Sequence, residues 1–276
     1  MRTSTSKNIS YLYVNGLATD RAIQLSDNIV LLPTRIECSA ELFLGLGKSD
    51  IDISVISLFL PQVESQLRIH GVDVKDTAMR AWNAVWDALL LGAFTGCNVM
   101  CNLQSDLPAE KLKPDSNLVV TNYQLRGLST QPLHRISETE SDWIEKHFKS
   151  AQELLQDGRY RNAVHCLATY QWHSMPRVQL AIVWSGIEGI FGVDSEIVFR
   201  VSLYAARFLA PDDHAQQIEV FAKVKELYKL RSKAVHGGKM KGDAKAGVSE
   251  SVELLRSLVA RCASLGTLPD TGSLVP

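Results

Sequence analysis

An arginine and a histidine lie five positions apart in the run LYKLRSKAVHGG, from Leu227 to Gly238. On a helical wheel, Arg231 falls at the centre of an apolar arc whose members lie between Val220 and Val235. A guanidinium keeps its charge in a protein, so at this position it needs an anionic partner, a cleft or a subunit boundary. His236 points about 140° away on an ideal helix, and Gly237 predicts that the helix ends there.

These two side-chain types suit chemistry at a phosphodiester. A guanidinium can hold two phosphate oxygens and stabilise charge that grows on them. An imidazole can take up or release a proton near neutral pH, and the end of a helix favours its protonated form. A histidine in the last turn also has a simpler role, in which it caps the terminal carbonyls. Without the neighbouring residues of the motif, capping would be the better explanation of His236.

The same run resembles a known family. Arg231-Ser-Lys-Ala-Val-His236, an Arg-x4-His motif followed by Gly237, resembles the motif of the HEPN superfamily, and LYKLRSKAVHG is most similar to its Apea-like branch. The segments GIEGIF (Gly186 to Phe191) and EIVFRVSLYAARFLA (residues 196–210) precede it in a similar order and spacing. The resemblance covers the last half of the chain.

The resemblance implies a helical bundle with metal-independent endoribonuclease activity and no cofactor. Its expected partners are RNA, tRNA among them, and a second copy of the chain, so that two motifs face one cleft. It assigns catalysis to Arg231 and His236, with Ser232 in support, and suggests a role in defence or as a toxin. Many active relatives have Asn, Asp or His where this chain has Ser232. Gly238 replaces the tyrosine that a nucleotidyltransferase modifies in one toxin branch.

Glu188 lies in the middle of the most apolar predicted helix. A buried carboxylate needs a partner, and Arg231 is the natural candidate, with Arg200 and Arg207 as alternatives. The pair could be a core salt bridge that fixes helix register. It could equally orient the arginine toward a scissile phosphate, and both interpretations stay open.

Seven lysines lie between Lys223 and Lys245, beside only two acidic residues. Such a run is usually a solvated face. Because it borders the motif, we predict that it binds an RNA backbone, although the net charge of −1 gives no global attraction to nucleic acid. The candidate RNA-binding residues are Lys225, Lys229, Lys233, Lys239 and Lys241.

Apolar periodicity predicts that these residues belong to a C-terminal all-α domain, residues 131–266, followed by a loose tail, 267–276. The predicted helices span 137–156, 159–173, 177–191, 195–209, a stretch that carries Arg231, and 249–264.

Residues 1–130 predict a small α+β domain of unknown function, so the fold class is α+β. Predicted strands span 9–14, 22–25, 29–32, 51–69 (one bent strand or two in succession), 98–103 and 118–125. Predicted helices span 37–44 and 76–94, the second with an inward stripe that includes Trp82.

Composition places the chain among soluble globular proteins. It has 276 residues, 46% apolar and 21% charged, and no apolar run of membrane-spanning length. Five scattered cysteines predict reduced thiols in the cytoplasm. Cys97 and Cys101 have a spacing that could begin a metal site, but no second Cys/His pair accompanies them, so we predict two buried thiols. No phosphate-binding loop or nucleophile elbow is present. The alternative to a ribonuclease is a non-catalytic RNA-binding or assembly module.

Overall fold

The structure, a computed structural model, describes residues 3–124, 133–236 and 244–274. It divides into an N-terminal unit, Met1–Lys149, and a C-terminal unit, Ser150–Pro276. The domain boundary predicted at residue 130 lies outside the described residues, and the division between the units falls further along, inside the helix Glu138–Leu154. The first unit is built on an antiparallel sheet and the second is helical, which confirms the predicted α+β class.

The N-terminal unit contains, within its described residues, a six-stranded antiparallel sheet in the order β3-β4-β5-β1-β6-β7 and a short parallel pair, β2 with β8. The strands are β1 (Ile9–Asn15), β2 (Leu17–Ala18), β3 (Ile23–Ser26), β4 (Ile29–Pro33), β5 (Val63–His70), β6 (Met100–Ser105), β7 (Leu118–Val120) and β8 (His134–Arg135). The strands predicted over 9–14, 22–25 and 29–32 are present.

Four α-helices lie wholly or partly in the described part of the unit, and the last of them continues into the C-terminal unit. They are α1 (Ala40–Leu46), α2 (Asp50–Phe59), α3 (Val74–Thr95) and α4 (Glu138–Leu154). Tyr13 on β1, Phe59 on α2 and Leu103 on β6 belong to one buried cluster, while α3 packs against β1, β5 and β6.

Residues 51–59 were predicted as strand, and this is wrong because they form α2. The Ser49 side chain accepts a hydrogen bond from Asp52 N and so caps the helix start. Val55, Ile56 and Phe59 are buried at helical spacing, while Ile51 is 65% exposed. The alternation of Ile51, Ile53 and Val55 therefore did not reflect one buried strand face. The second half of the predicted strand is β5, as expected.

The predicted inward stripe of α3 is also wrong in part. Trp82 is 50% exposed, whereas Ala81, Ala84 and Ala88 are buried. Small side chains let the helix lie close to the sheet. The face that packs on the sheet is therefore rotated by one residue from the predicted apolar stripe. The helix also starts earlier than the predicted residue 76, because the Asp73 side chain accepts a hydrogen bond from Asp76 N and caps its first turn.

The C-terminal unit is a helical assembly around one central helix. Its helices are α5 (Gly158–Thr169), α6 (Pro176–Phe191), α7 (Ile197–Leu209), α8 (His214–Val235) and α9 (Ala244–Leu265). Helix α6 packs against α5, α8 and α9, and its Trp184 is fully buried. Gly186 permits this approach, because a Cβ there would lie 2.8 Å from Leu255 Cδ2. The helices predicted here are present in type and order.

The segment predicted as a loose tail makes packing contacts where it is described. Leu268 and Pro269 are buried, and Arg207 Nη1 donates a hydrogen bond to Leu274 O at 2.8 Å. Over the described ranges, no helix has the length and apolar character that crossing a membrane requires.

Candidate functional site

Helix α8 carries the predicted site residues in its last two turns. It starts at Asp213, whose side chain accepts from Gln216 N at 2.9 Å, and ends at His236, whose N–H donates to Ser232 O at 3.0 Å. Leu227 and Ala234 are buried, as the apolar arc predicted, but Val235 is 47% exposed. The last turn therefore reaches the surface of the unit.

The predicted ion pair between α8 and α6 is present. Arg231 Nη2 lies 3.1 Å from Glu188 Oε1 and donates to Oε2 at 3.2 Å. The two side chains are 21% and 20% exposed, so the pair is neither sealed nor solvated. The two alternative arginines have other contacts, since Arg200 pairs with Glu196 and Arg207 donates to the backbone of the tail.

The pairing leaves polar atoms unsatisfied. Within the described ranges, Glu188 Oε1 accepts no well-aligned hydrogen bond, and the buried Nε of Arg231 has no partner. Burial raises the pKa of Glu188 above its ordinary value, although the Arg231 charge acts to lower it. The carboxylate is therefore less than fully compensated by its cation.

Aromatic rings fix the direction of the Arg231 side chain. Its Cζ lies 5.4 Å from the ring centroid of Tyr228, one turn earlier on α8. Tyr228 contacts Trp184 edge to face at 5.3 Å, and Trp184 Nε1 donates to Ser251 Oγ at 3.1 Å. The guanidinium thus lies over the preceding turn, as helix side-chain geometry favours, while His236 lies past the helix end.

His236 is exposed, and Ser232, which precedes it by four residues, is half-buried. Because Arg231 is turned back toward Tyr228 and Glu188, the described contacts of one chain do not bring its guanidinium to His236. Gly237 and Gly238 lie outside the described residues, as do the predicted RNA-binding residues Lys239 and Lys241.

The three remaining candidate lysines follow one another along α8. Lys225, Lys229 and Lys233 are all exposed. Lys229 Nζ lies 2.6 Å from Glu226 Oε1, so part of its charge is locally paired. These positions leave a row of ammonium groups accessible to an anionic partner.

Arg177 also contacts the end of α8, and the sequence did not predict this contact. From the start of α6 its Nη1 donates to Lys233 O at 3.2 Å and to Ala234 O at 3.1 Å, in the last turn of α8. Nothing local in the sequence signals this contact, because it depends on how two helices distant in sequence pack.

In the described parts of the chain, no cluster of three or more His, Cys, Asp or Glu side chains could hold a metal ion. The Cys97 Sγ lies 2.9 Å from Thr95 Oγ1. Burial raises the pKa of the Cys101 thiol, so it stays protonated and is a poor ligand.

A scan of protein-family models found no match to this chain, and searches among curated proteins and among solved structures found no similar protein.

Proposed function

We propose that this protein is a metal-independent endoribonuclease of the HEPN type, with Arg231 and His236 as its catalytic residues. The observation that carries the proposal is the exposed His236 imidazole at the end of α8, on the helix whose preceding turn holds a partly accessible guanidinium. The row of exposed lysines on α8 supports it, because an RNA backbone needs local cations when the net charge is −1.

The proposed reaction needs few parts. His236 takes the proton of a ribose 2′-hydroxyl, and the O2′ atom attacks the adjacent phosphorus. The bond from phosphorus to O5′ breaks, and O5′ takes a proton from water while the His236 imidazolium returns its proton to solvent, which leaves a 2′,3′-cyclic phosphate and a 5′-hydroxyl. Arg231 stabilises the charge on the non-bridging oxygens. Because the nucleophile belongs to the substrate, its proximity is built in.

The site is composite in this proposal, with Arg231 of one copy and His236 of a second copy facing one cleft. The support is that the Arg231 guanidinium is turned toward Glu188, away from the end of its own helix. Mixing Arg231→Met with His236→Ala tests it. Each variant alone should be inactive, and a 1:1 mixture of exchanging dimers should recover about a quarter of wild-type activity, since half the dimers are mixed and each has one intact site. No recovery contradicts the composite site.

The proposed setting is the cytoplasm, in a defence or toxin role. All five cysteines lie in the described residues and none forms a disulfide there, which is what a reducing compartment favours. Incubating wild type and His236→Ala with total RNA and with tRNA, both in EDTA, tests the activity. Cleavage by wild type alone supports the proposal, and intact RNA under all conditions contradicts it.

One observation favours a second function, a non-catalytic RNA-binding or assembly module. Arg231 is held by Glu188 and stacks on Tyr228, which is what a purely structural ion pair would do. In that case wild type and His236→Ala bind RNA equally and neither cleaves it.

A further inference from the structure

Arg177 occupies an unusual position for a cation. It is the second residue of α6, which begins at Pro176, and the first turn of α6 has no acidic residue and no capping side chain. The positive end of a helix dipole disfavours a positive side chain there. A compensating interaction must therefore come from outside α6.

That interaction is with the end of α8. Arg177 Nη1 donates to the carbonyl oxygens of Lys233 and Ala234, at 3.2 and 3.1 Å. The last carbonyls of a helix have no partner within it, and they form the negative end of its dipole. Arg177 thus supplies a donor to two carbonyls at this end of α8.

The two helices run antiparallel, which makes this contact possible. Trp184 on α6 meets Tyr228 on α8, and Arg177, earlier on α6, meets Ala234, later on α8. The start of α6 therefore lies beside the end of α8. Because α6 is the central helix of the unit, it offers a rigid support for the last turn of α8.

We propose that Arg177 is a positioning residue, which holds the last turn of α8 so that His236 is fixed for proton transfer. The proposal rests on the proposed function for its catalytic consequence. Its two bonded carbonyls lie two and three residues before His236, whereas Arg231 is directed to the preceding turn. The two arginines therefore have separate roles, one at the phosphate and one at the helix end.

The first test is hydrogen–deuterium exchange on wild type, Arg177→Met and Arg177→Lys. Loss of two hydrogen bonds should speed exchange of the Val235 and His236 amides by about tenfold in the methionine variant. The lysine variant should be intermediate, because an ammonium lacks the planar fork of a guanidinium. Arg200→Met, which removes an exposed ion pair on α7, is the matched control and should leave these amides unchanged.

The second test is single-turnover RNA cleavage with the same variants and with His236→Ala. Arg177→Met should lower the single-turnover rate constant by about 10- to 100-fold, with little change in the enzyme concentration that gives half of the maximal rate. Arg177→Lys should recover part of the rate, because its ammonium keeps the charge and can still donate to a carbonyl. A wild-type rate constant in Arg177→Met overturns the positioning role.

The two tests separate the two claims. Unchanged exchange at Val235 and His236 in Arg177→Met overturns the positioning proposal, whether or not the wild type cleaves RNA. Fast exchange in that variant, together with a wild type that leaves RNA intact, supports the hold of Arg177 on the helix end and contradicts the ribonuclease instead.

Discussion

Replacing Arg231 with methionine tests the ion pair with Glu188, because methionine keeps much of the side-chain length and loses the charge. At the observed 3.1 Å, the Coulomb attraction is about 5 kcal/mol at an effective dielectric of 20 and about 1.3 kcal/mol in water. With both side chains about one-fifth exposed, the pair lies between these limits. In Arg231→Met the Glu188 carboxylate stays partly buried and loses its cation. We therefore expect this variant to lower the free energy of unfolding by about 3 kcal/mol at pH 7.

The loss should depend on pH. Burial holds the pKa of Glu188 above its unfolded value, so between the two values the folded chain binds more protons and stability falls as pH rises. Arg231 opposes this change, and removing it raises the Glu188 pKa further. As pH falls, this carboxyl therefore takes up its proton more readily in the variant than in wild type, and the protonated form needs no cation. The loss should therefore be smaller at pH 5 than at pH 7, by at most about 1.4 kcal/mol for each pH unit over which this one carboxyl titrates.

Urea unfolding of the full chain, followed by circular dichroism at pH 5 and pH 7, measures both effects. The double variant Glu188→Gln/Arg231→Met should recover to within about 1 kcal/mol of wild type, because it leaves no unpaired charge. Arg200→Met is the control and should stay within about 0.5 kcal/mol. Equal losses at the two pH values, or a double variant no more stable than Arg231→Met, would refute the reasoning.

Two further predictions concern the C-terminal unit. Gly186→Ala should destabilise it by about 1–3 kcal/mol, because the new Cβ would lie 2.8 Å from Leu255 Cδ2. The control is Gly189→Ala on the same helix, whose new Cβ would meet only a side-chain nitrogen at 3.3 Å. This variant should be neutral or stabilising. Thermal unfolding compares the two, and equal effects would contradict the packing. Burial raises the pKa of Cys166 to about 11 and of Cys262 to about 12, so at pH 8 both thiols should react with Ellman's reagent at least ~100-fold more slowly in the native chain than in urea. Rapid native reaction that disappears in a Cys166→Ser/Cys262→Ser variant would contradict their burial.

How much could be predicted from the sequence depended on whether a signal was local. Helices α6 and α8 follow from apolar periodicity, and the Glu188–Arg231 pair could be predicted because each charge interrupts an apolar face. The periodicity gave the wrong element at α2. Ile51, Ile53 and Val55 alternate with polar residues as in a strand, but the segment is a helix capped by Ser49. The periodicity failed also at α3, where the helix buries alanines and exposes Trp82.

The missing part of the site is tertiary. Arg177 contacts α8 across 57 residues of sequence, and no spacing rule connects them. The direction of Arg231 likewise depends on Tyr228 below it and on Glu188 of another helix. A helical wheel fixes the angle at which a side chain leaves the helix, but neighbouring helices decide which turn its charged group reaches.

The most direct measurement of the central claim uses two RNA oligonucleotides that differ only by a 2′-deoxy group at the cleaved nucleotide, in the presence of EDTA. Wild type should cut the all-ribose strand to a 2′,3′-cyclic phosphate end and leave the 2′-deoxy strand whole, and His236→Ala should cut neither. Cleavage of the 2′-deoxy strand, or equal cleavage by wild type and His236→Ala, would contradict it.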